Sequence, residues 1–197
     1  MDKIYKRGKL TKNTNDSKVK FLACSDLPKR SNMPTQRRYP LKTKEAKQIL
    51  EQTSKTLNLD METLFEKSTI EVVESDVGEI YLIGAKPLLY KAGDKILPTL
   101  HFVEFTSKAP KIVVDMGAVP YVCKGATVMA PGIVRIEGEF AKGDLVVIVD
   151  MKFGKALALG ESLMDSIVAK QTKKGPIVKT QHWVSDKIWD YTKKLTE

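Results

Sequence analysis

From Pro40 onward the chain switches between two kinds of hydrophobic spacing. Ala46, Ile49, Leu50, Thr53 and Leu57 fall on one helical stripe, with Lys44, Glu45, Lys47, Gln48, Glu51 and Lys55 between them. Thr43 stands where an N-cap is expected, and Asp60 can cap a second short helix through about Lys67 that buries Met61, Leu64 and Phe65. Strand-type runs follow at Thr69 to Val73, Ile80 to Ile83 and Leu88 to Tyr90. Glu74-Ser75-Asp76 and Gly78 between the first two predict a hairpin. Pro98 suits the first turn of a further helix through about Phe105. The pattern predicts an α+β domain over residues 37–108, ending near Lys108-Ala109-Pro110.

Beyond Pro110 the spacing becomes β-rich. Lys111 to Asp115 reads as a strand, Met116 to Cys123 as one short helix, and Ala126 to Met129 as a strand stopped by Pro131-Gly132. Gly143-Asp144 turns into Leu145-Val146-Val147-Ile148-Val149, a core strand; Met151 to Lys155 is a turn and Ala156 to Leu159 returns. Ser185 can cap a last helix carrying Ile188, Trp189 and Leu195. Short strands at this spacing imply a small barrel or sandwich over residues 109–197. Residues 1–36 lack sustained periodicity: a turn-rich stretch from Thr11 to Ser17, a short strand at Val19 to Ala23 and a linker from Leu27 to Asn32.

Charge sharpens this division. The formal net charge of +9 is not spread evenly. Residues 1–44 carry 13 Lys/Arg against 3 Asp/Glu, residues 45–108 carry 7 against 11, and residues 109–197 carry 13 against 10. The excess therefore lies in the N-terminal arm, which is either a polyanion contact, releasing counterions from phosphates, or a solvated tail that aids solubility. No apolar run is long enough to cross a bilayer, and MDKIYKRGKL has no apolar block of a secretory signal. Cys24 and Cys123 are the only cysteines, too few for a disulfide scaffold or a zinc site; they read as thiols in a reducing cytosol, so a cytoplasmic protein without metal or cofactor is expected.

One ordered string stands out. Val114-Asp115-Met116-Gly117-Ala118 is followed by Val122, Lys124-Gly125-Ala126, Val128, Ala130-Pro131-Gly132-Ile133, Phe140, Gly143-Asp144, Val146 and Ile148. Over about forty residues it resembles the PUA domain, named for pseudouridine synthases and archaeosine transglycosylases. Upstream, Leu97-Pro98-Thr99-Leu100 and Arg37-Arg38-Tyr39-Pro40-Leu41 resemble the archaeal relatives of the malignant T-cell-amplified sequence protein. That family places an α/β pre-PUA domain before a PUA-type β pseudobarrel. The resemblance implies a non-catalytic RNA-binding protein acting in translation, in initiation or recycling. The implied partners are ribosomal or transfer RNA, the small ribosomal subunit and a factor like density-regulated protein. The long basic N-terminal segment departs from the family pattern.

The resemblance also carries residues. It implies an RNA-binding surface on Lys124, Gly125, Ala126, Met129, Pro131, Gly132 and Arg135, with Lys179 and Gln181 added from the last strand. The residues themselves leave a choice: Gly125 and Pro131-Gly132 are either turns that close a barrel or openings for a close-approaching RNA backbone, with Lys124 and Arg135 beside them. Tyr121, Phe153 and Trp183 are either core residues or platforms for bases. Gly154-Lys155-Ala156 lacks the hydroxyl and preceding glycine of a phosphate-binding loop. Asp115 reads as a cap, His101 as structural, and His182 shows no evident acid partner. Two other roles remain open: an accessory subunit of an RNA-modifying enzyme, and an adaptor that binds proteins through its acidic residues 45–108.

Overall fold

The computed structural model describes residues 37–66 and 68–196. The basic arm and its expected short strand at Val19 to Ala23 lie outside the described residues. The first half is an antiparallel five-stranded meander in the order β1(Arg37–Pro40), β2(Ile70–Ser75), β3(Gly78–Ile83), β4(Lys86–Ala92) and β5(Lys95–Pro98). Between β1 and β2 run α1(Thr43–Leu57) and the single turn α2(Met61–Leu64). The expected hairpin is present, with Ser75 opposite Gly78.

Three local expectations are corrected. Thr43 is the first helical residue and Lys42 the N-cap, with no side-chain cap bond. The second helix ends at Leu64; Asp60 does cap it, accepting the Thr63 N–H at 3.0 Å, but Leu64 is exposed. Pro98 closes the edge strand β5 opposite Leu89, and the helix starts five residues later as α3(Val103–Lys108). A proline has no N–H for a ladder, so an edge strand tolerates it.

The second half holds β6(Lys111–Val114), α4(Val119–Val122), β7(Val128–Met129), a 3-10 turn Ala130–Gly132, β8(Ile133–Glu137), β9(Leu145–Asp150), β10(Ala156–Ser162), α5(Ser166–Gln171), β11(Pro176–Trp183) and α6(Lys187–Thr196). The sheet order is β7-β11-β10-β9-β6-β8, with β6 and β9 parallel and the other pairs antiparallel. Its two outermost strands, β7 and β8, are joined by three residues. The sheet must therefore curl until its edges meet, which makes it a pseudobarrel.

The apolar run of β9 explains how the halves join. Side chains alternate across a strand. Leu145, Val147 and Val149 enter one core with β2, β3 and β4, while Val146 and Ile148 enter a second core with Ile112, Val114, Val122, Val128 and Ile177. Val113 and Leu159 join the first core, and Ala158 joins the second. The curled sheet is thus a wall shared by two cores, and a continuous run of Leu, Val and Ile is what such a wall requires. The last helix also packs on the first core, against β4, through Ile188, Trp189, Tyr191 and Leu195. It is capped by Asp186, whose Oδ1 accepts the Trp189 N–H at 2.6 Å, and not by Ser185, which sits at φ 72°.

Candidate nucleic-acid interface

The surface around α4 is built by backbone hydrogen bonds. Asp115 caps the turn that leads into α4 and not the helix itself, whose N-cap is Ala118 without a side-chain bond: Asp115 Oδ1 accepts the Ala118 N–H at 2.7 Å, while its own N–H donates to Gly132 O at 3.0 Å. This pair ties the entry of α4 to the Pro131-Gly132 turn. Past α4, the Gly125 N–H donates to Val122 O at 2.9 Å and the Ala126 N–H to Tyr121 O at 3.1 Å. The Gly125 amide is therefore occupied and does not face an incoming backbone.

Gly125 is required for another reason. It lies at φ 79°, and a Cβ there would meet the Trp183 indole at 2.6–2.8 Å. Trp183 thus neither fills the core centre nor stands free; it seats the loop that follows α4. Adding a methyl would cost roughly 2–4 kcal/mol, from the left-handed backbone and the overpacking together. Thr180 Oγ1 donates to Ala126 O at 2.7 Å, and β7 pairs with β11 through Met129 opposite Pro176 and Val128 opposite Val178. The loop after α4 and the strand β11 consequently form one continuous surface.

Most of the expected residues lie along it. Lys124, Ala126, Met129, Pro131 and Lys179 are exposed, and Gly125, Gly132 and Gln181 are half-buried. Gln181 lies where β10 and β11 shift register, between the paired residues Thr180 and His182, and lines an open groove with Trp183, Ser185, Asp186 and Ile188. Arg135 is already engaged. It is on β8, beyond the turn that follows β7, its Nε donates to Glu137 Oε1 at 2.7 Å, and it lines a cleft with Ala130, with Lys170 of α5 and with Thr172 just past that helix. The ion pair leaves Arg135 less charge to offer than the sequence suggested.

Two features were less visible in the sequence. Tyr121 and Phe153, weighed as core residues or platforms, are 68% and 64% exposed, so neither belongs to a core. His182 does have an acid partner: its Nδ1 lies 2.6 Å from Asp186 Oδ2. A side chain four residues on, across the turn into α6, carries no periodic signal. Burial pushes the Cys123 thiol above its ordinary value, so it is a poor nucleophile. Among the described residues, no group of three or more His, Cys, Asp or Glu could hold a metal ion, and no helix is long and apolar enough to cross a membrane.

An α+β domain followed by a curled six-stranded barrel is the architecture of a PUA-bearing protein. Family models agree: residues 110–184 match the PUA domain and residues 37–105 match a domain of unknown function, DUF1947. The chain is 34% identical over 161 residues to an uncharacterized protein of Methanocaldococcus jannaschii, covering 81% of this chain and 99% of that one. This chain belongs to the family of proteins that carry a DUF1947 domain in front of a PUA domain. It is also 28% identical over 175 residues to translation machinery-associated protein 20 of Saccharomyces cerevisiae, covering 85% of this chain and 94% of the relative. A 115-residue stretch is 40% identical to a "Probable tRNA pseudouridine synthase B" of Pyrobaculum arsenaticum, covering 57% of this chain but only 33% of the relative. Among solved structures, a hypothetical protein from Pyrococcus horikoshii superposes with a TM-score of 0.67 at 34% identity, over 79% of this chain and 99% of that one.

Proposed function

We propose that this protein is a non-catalytic, cytoplasmic RNA-binding factor of the translation apparatus, and that its PUA domain docks on ribosomal or transfer RNA. The observation that carries the reading is the continuous surface from Lys124 through Met129 to Lys179 and Gln181, on a domain whose full-length relatives include translation machinery-associated protein 20. In this reading residues 1–36 are a basic arm, 37–108 a domain for a protein partner resembling density-regulated protein, and 109–197 the RNA-docking domain. With 13 Lys/Arg against 10 Asp/Glu, residues 109–197 read RNA by shape and a few placed cations, while the arm supplies long-range attraction.

The test is equilibrium binding to purified small-subunit ribosomal RNA across a salt series. Lys124→Glu is expected to weaken binding and lower the salt slope by about one, with the fold intact. Arg135→Glu is expected to do less, because Glu137 already engages the guanidinium. Unchanged binding in both variants would sink the proposed surface. The similarity to a tRNA pseudouridine synthase B supports a second reading, an RNA-binding accessory to a modifying enzyme. Affinity capture from extract separates the two: ribosomal subunits favour the first and a modifying enzyme the second.

A further inference from the structure

A second exposed feature lies beyond the surface around Lys124. Asp150 ends β9, and its side chain is buried beneath the five-residue turn that follows. Oδ1 accepts the N–H of Lys152 at 2.9 Å and of Phe153 at 2.5 Å, and Oδ2 accepts the N–H of Lys155 at 2.9 Å. The turn is closed by Gly154 N–H on Asp150 O at 3.1 Å and by Asp150 N–H on Lys155 O at 3.2 Å. The hydrogen bonds from Phe153, Lys155 and Lys152 hold the Asp150 carboxyl below the usual range, so the clamp is ionised at neutral pH.

What this clamp holds up is an aromatic ring in water. Phe153 is 64% exposed, with Lys152 Nζ and Lys155 Nζ lying over its ring at 5.1 Å and 5.9 Å from the centroid, on flexible side chains that must swing aside toward phosphates for a base to reach the ring face. Among the described residues neither lysine forms a salt bridge. An apolar ring fixed on a rigid turn between two cations matches an unpaired nucleobase with phosphates on either side. The position fits as well. Met151 N–H donates to Val114 O at 3.0 Å, and the next residue, Asp115, donates to Gly132 O. The turn and Pro131-Gly132 therefore flank the same short segment at the entry of α4.

We propose that the Met151–Lys155 turn is a second RNA contact, in which Phe153 stacks on one unpaired base while Lys152 and Lys155 meet the adjoining phosphates. The proposal rests on the RNA-binding reading above and assigns it a single-stranded element. A pre-formed turn suits the task, because less ordering entropy is lost on binding.

The probe is a fluorescent hairpin RNA whose loop holds all four bases, set against a blunt duplex of equal length. Phe153→Ala is expected to weaken hairpin binding by on the order of 5- to 100-fold, the range for one stacked base, and to leave duplex binding unchanged. Phe153→Trp should keep hairpin affinity. The paired change Lys152→Gln and Lys155→Gln should lower the salt slope for the hairpin by about one to two. Equal hairpin affinity for the wild type and Phe153→Ala overturns the proposal while the RNA-binding reading stands. A wild type that binds neither probe overturns both.

Discussion

The two histidines lie near each other, and their surroundings make stability depend on acidity. His101 stacks on Trp189 with ring centroids 4.6 Å apart and planes 12° from parallel. Burial, with a smaller contribution from nearby His182, holds His101 below its ordinary value. Asp186 is subject to opposing effects. Desolvation alone would raise its carboxyl, but the His182 hydrogen bond and charge, and the N–H groups of Trp189 and Trp183, outweigh it and leave it lowered. Both groups therefore release protons more readily in the folded state than in the unfolded chain, and stability rises with pH across their range. It should be fully present above about pH 6.5, decline first as His101 in the unfolded chain takes up a proton, and fall further below about pH 4 as Asp186 and Asp150 do the same. Urea midpoints measured against pH check this. In His101→Gln the upper decline should vanish and the lower one remain; an upper decline that persists assigns it to another group.

At the scale of elements, α6 ties the end of the chain to the beginning of the fold. Trp189 is half-buried against the first core and stacked on His101, so Trp189→Ala should cost about 2–4 kcal/mol. Denaturant unfolding measures it, and a cost below about 0.5 kcal/mol would show that the helix is not part of that core. Elements with a clear period were legible in the sequence: α1, the β2–β3 hairpin and β9. Those set by tertiary context were not. β5 was hidden because Pro98 signals a helix start unless an edge strand is known to end there. The separate strand β8 was hidden because Ile133 to Glu137 is half exposed and has no clean alternation. At the candidate site the motif led to the loop after α4, yet not to the reason for Gly125. That reason is Trp183, fifty-eight residues away in the chain. Nor could composition reveal that Glu137 already holds Arg135.

At the scale of the whole molecule, the shared wall makes the two cores one energetic unit. Leu145, Val147, Val149, Val113 and Leu159 all face the first core from the second sheet. An excised fragment spanning residues 109–197 would expose that row of apolar side chains to water, and it is expected to aggregate or bind hydrophobic dyes where the longer chain does not. Residues 37–197 should unfold in a single calorimetric transition, with equal van't Hoff and calorimetric enthalpies. Two separated transitions would mean that the wall is not shared in energy.

The strand order also sets a schedule for synthesis. The five-strand meander pairs neighbours in sequence, so it can assemble while the chain is still emerging from the ribosome. The barrel cannot. β7 waits for β11, about fifty residues later, before it gains its sheet partner, and β10 waits for the same strand on its open side. Until residues 176–183 are made, the loop after α4 also lacks the Trp183 ring that seats it. The surface proposed to recognise RNA thus waits for β11, and a nascent chain stalled before that strand would carry the paired strands of the meander without a working docking face.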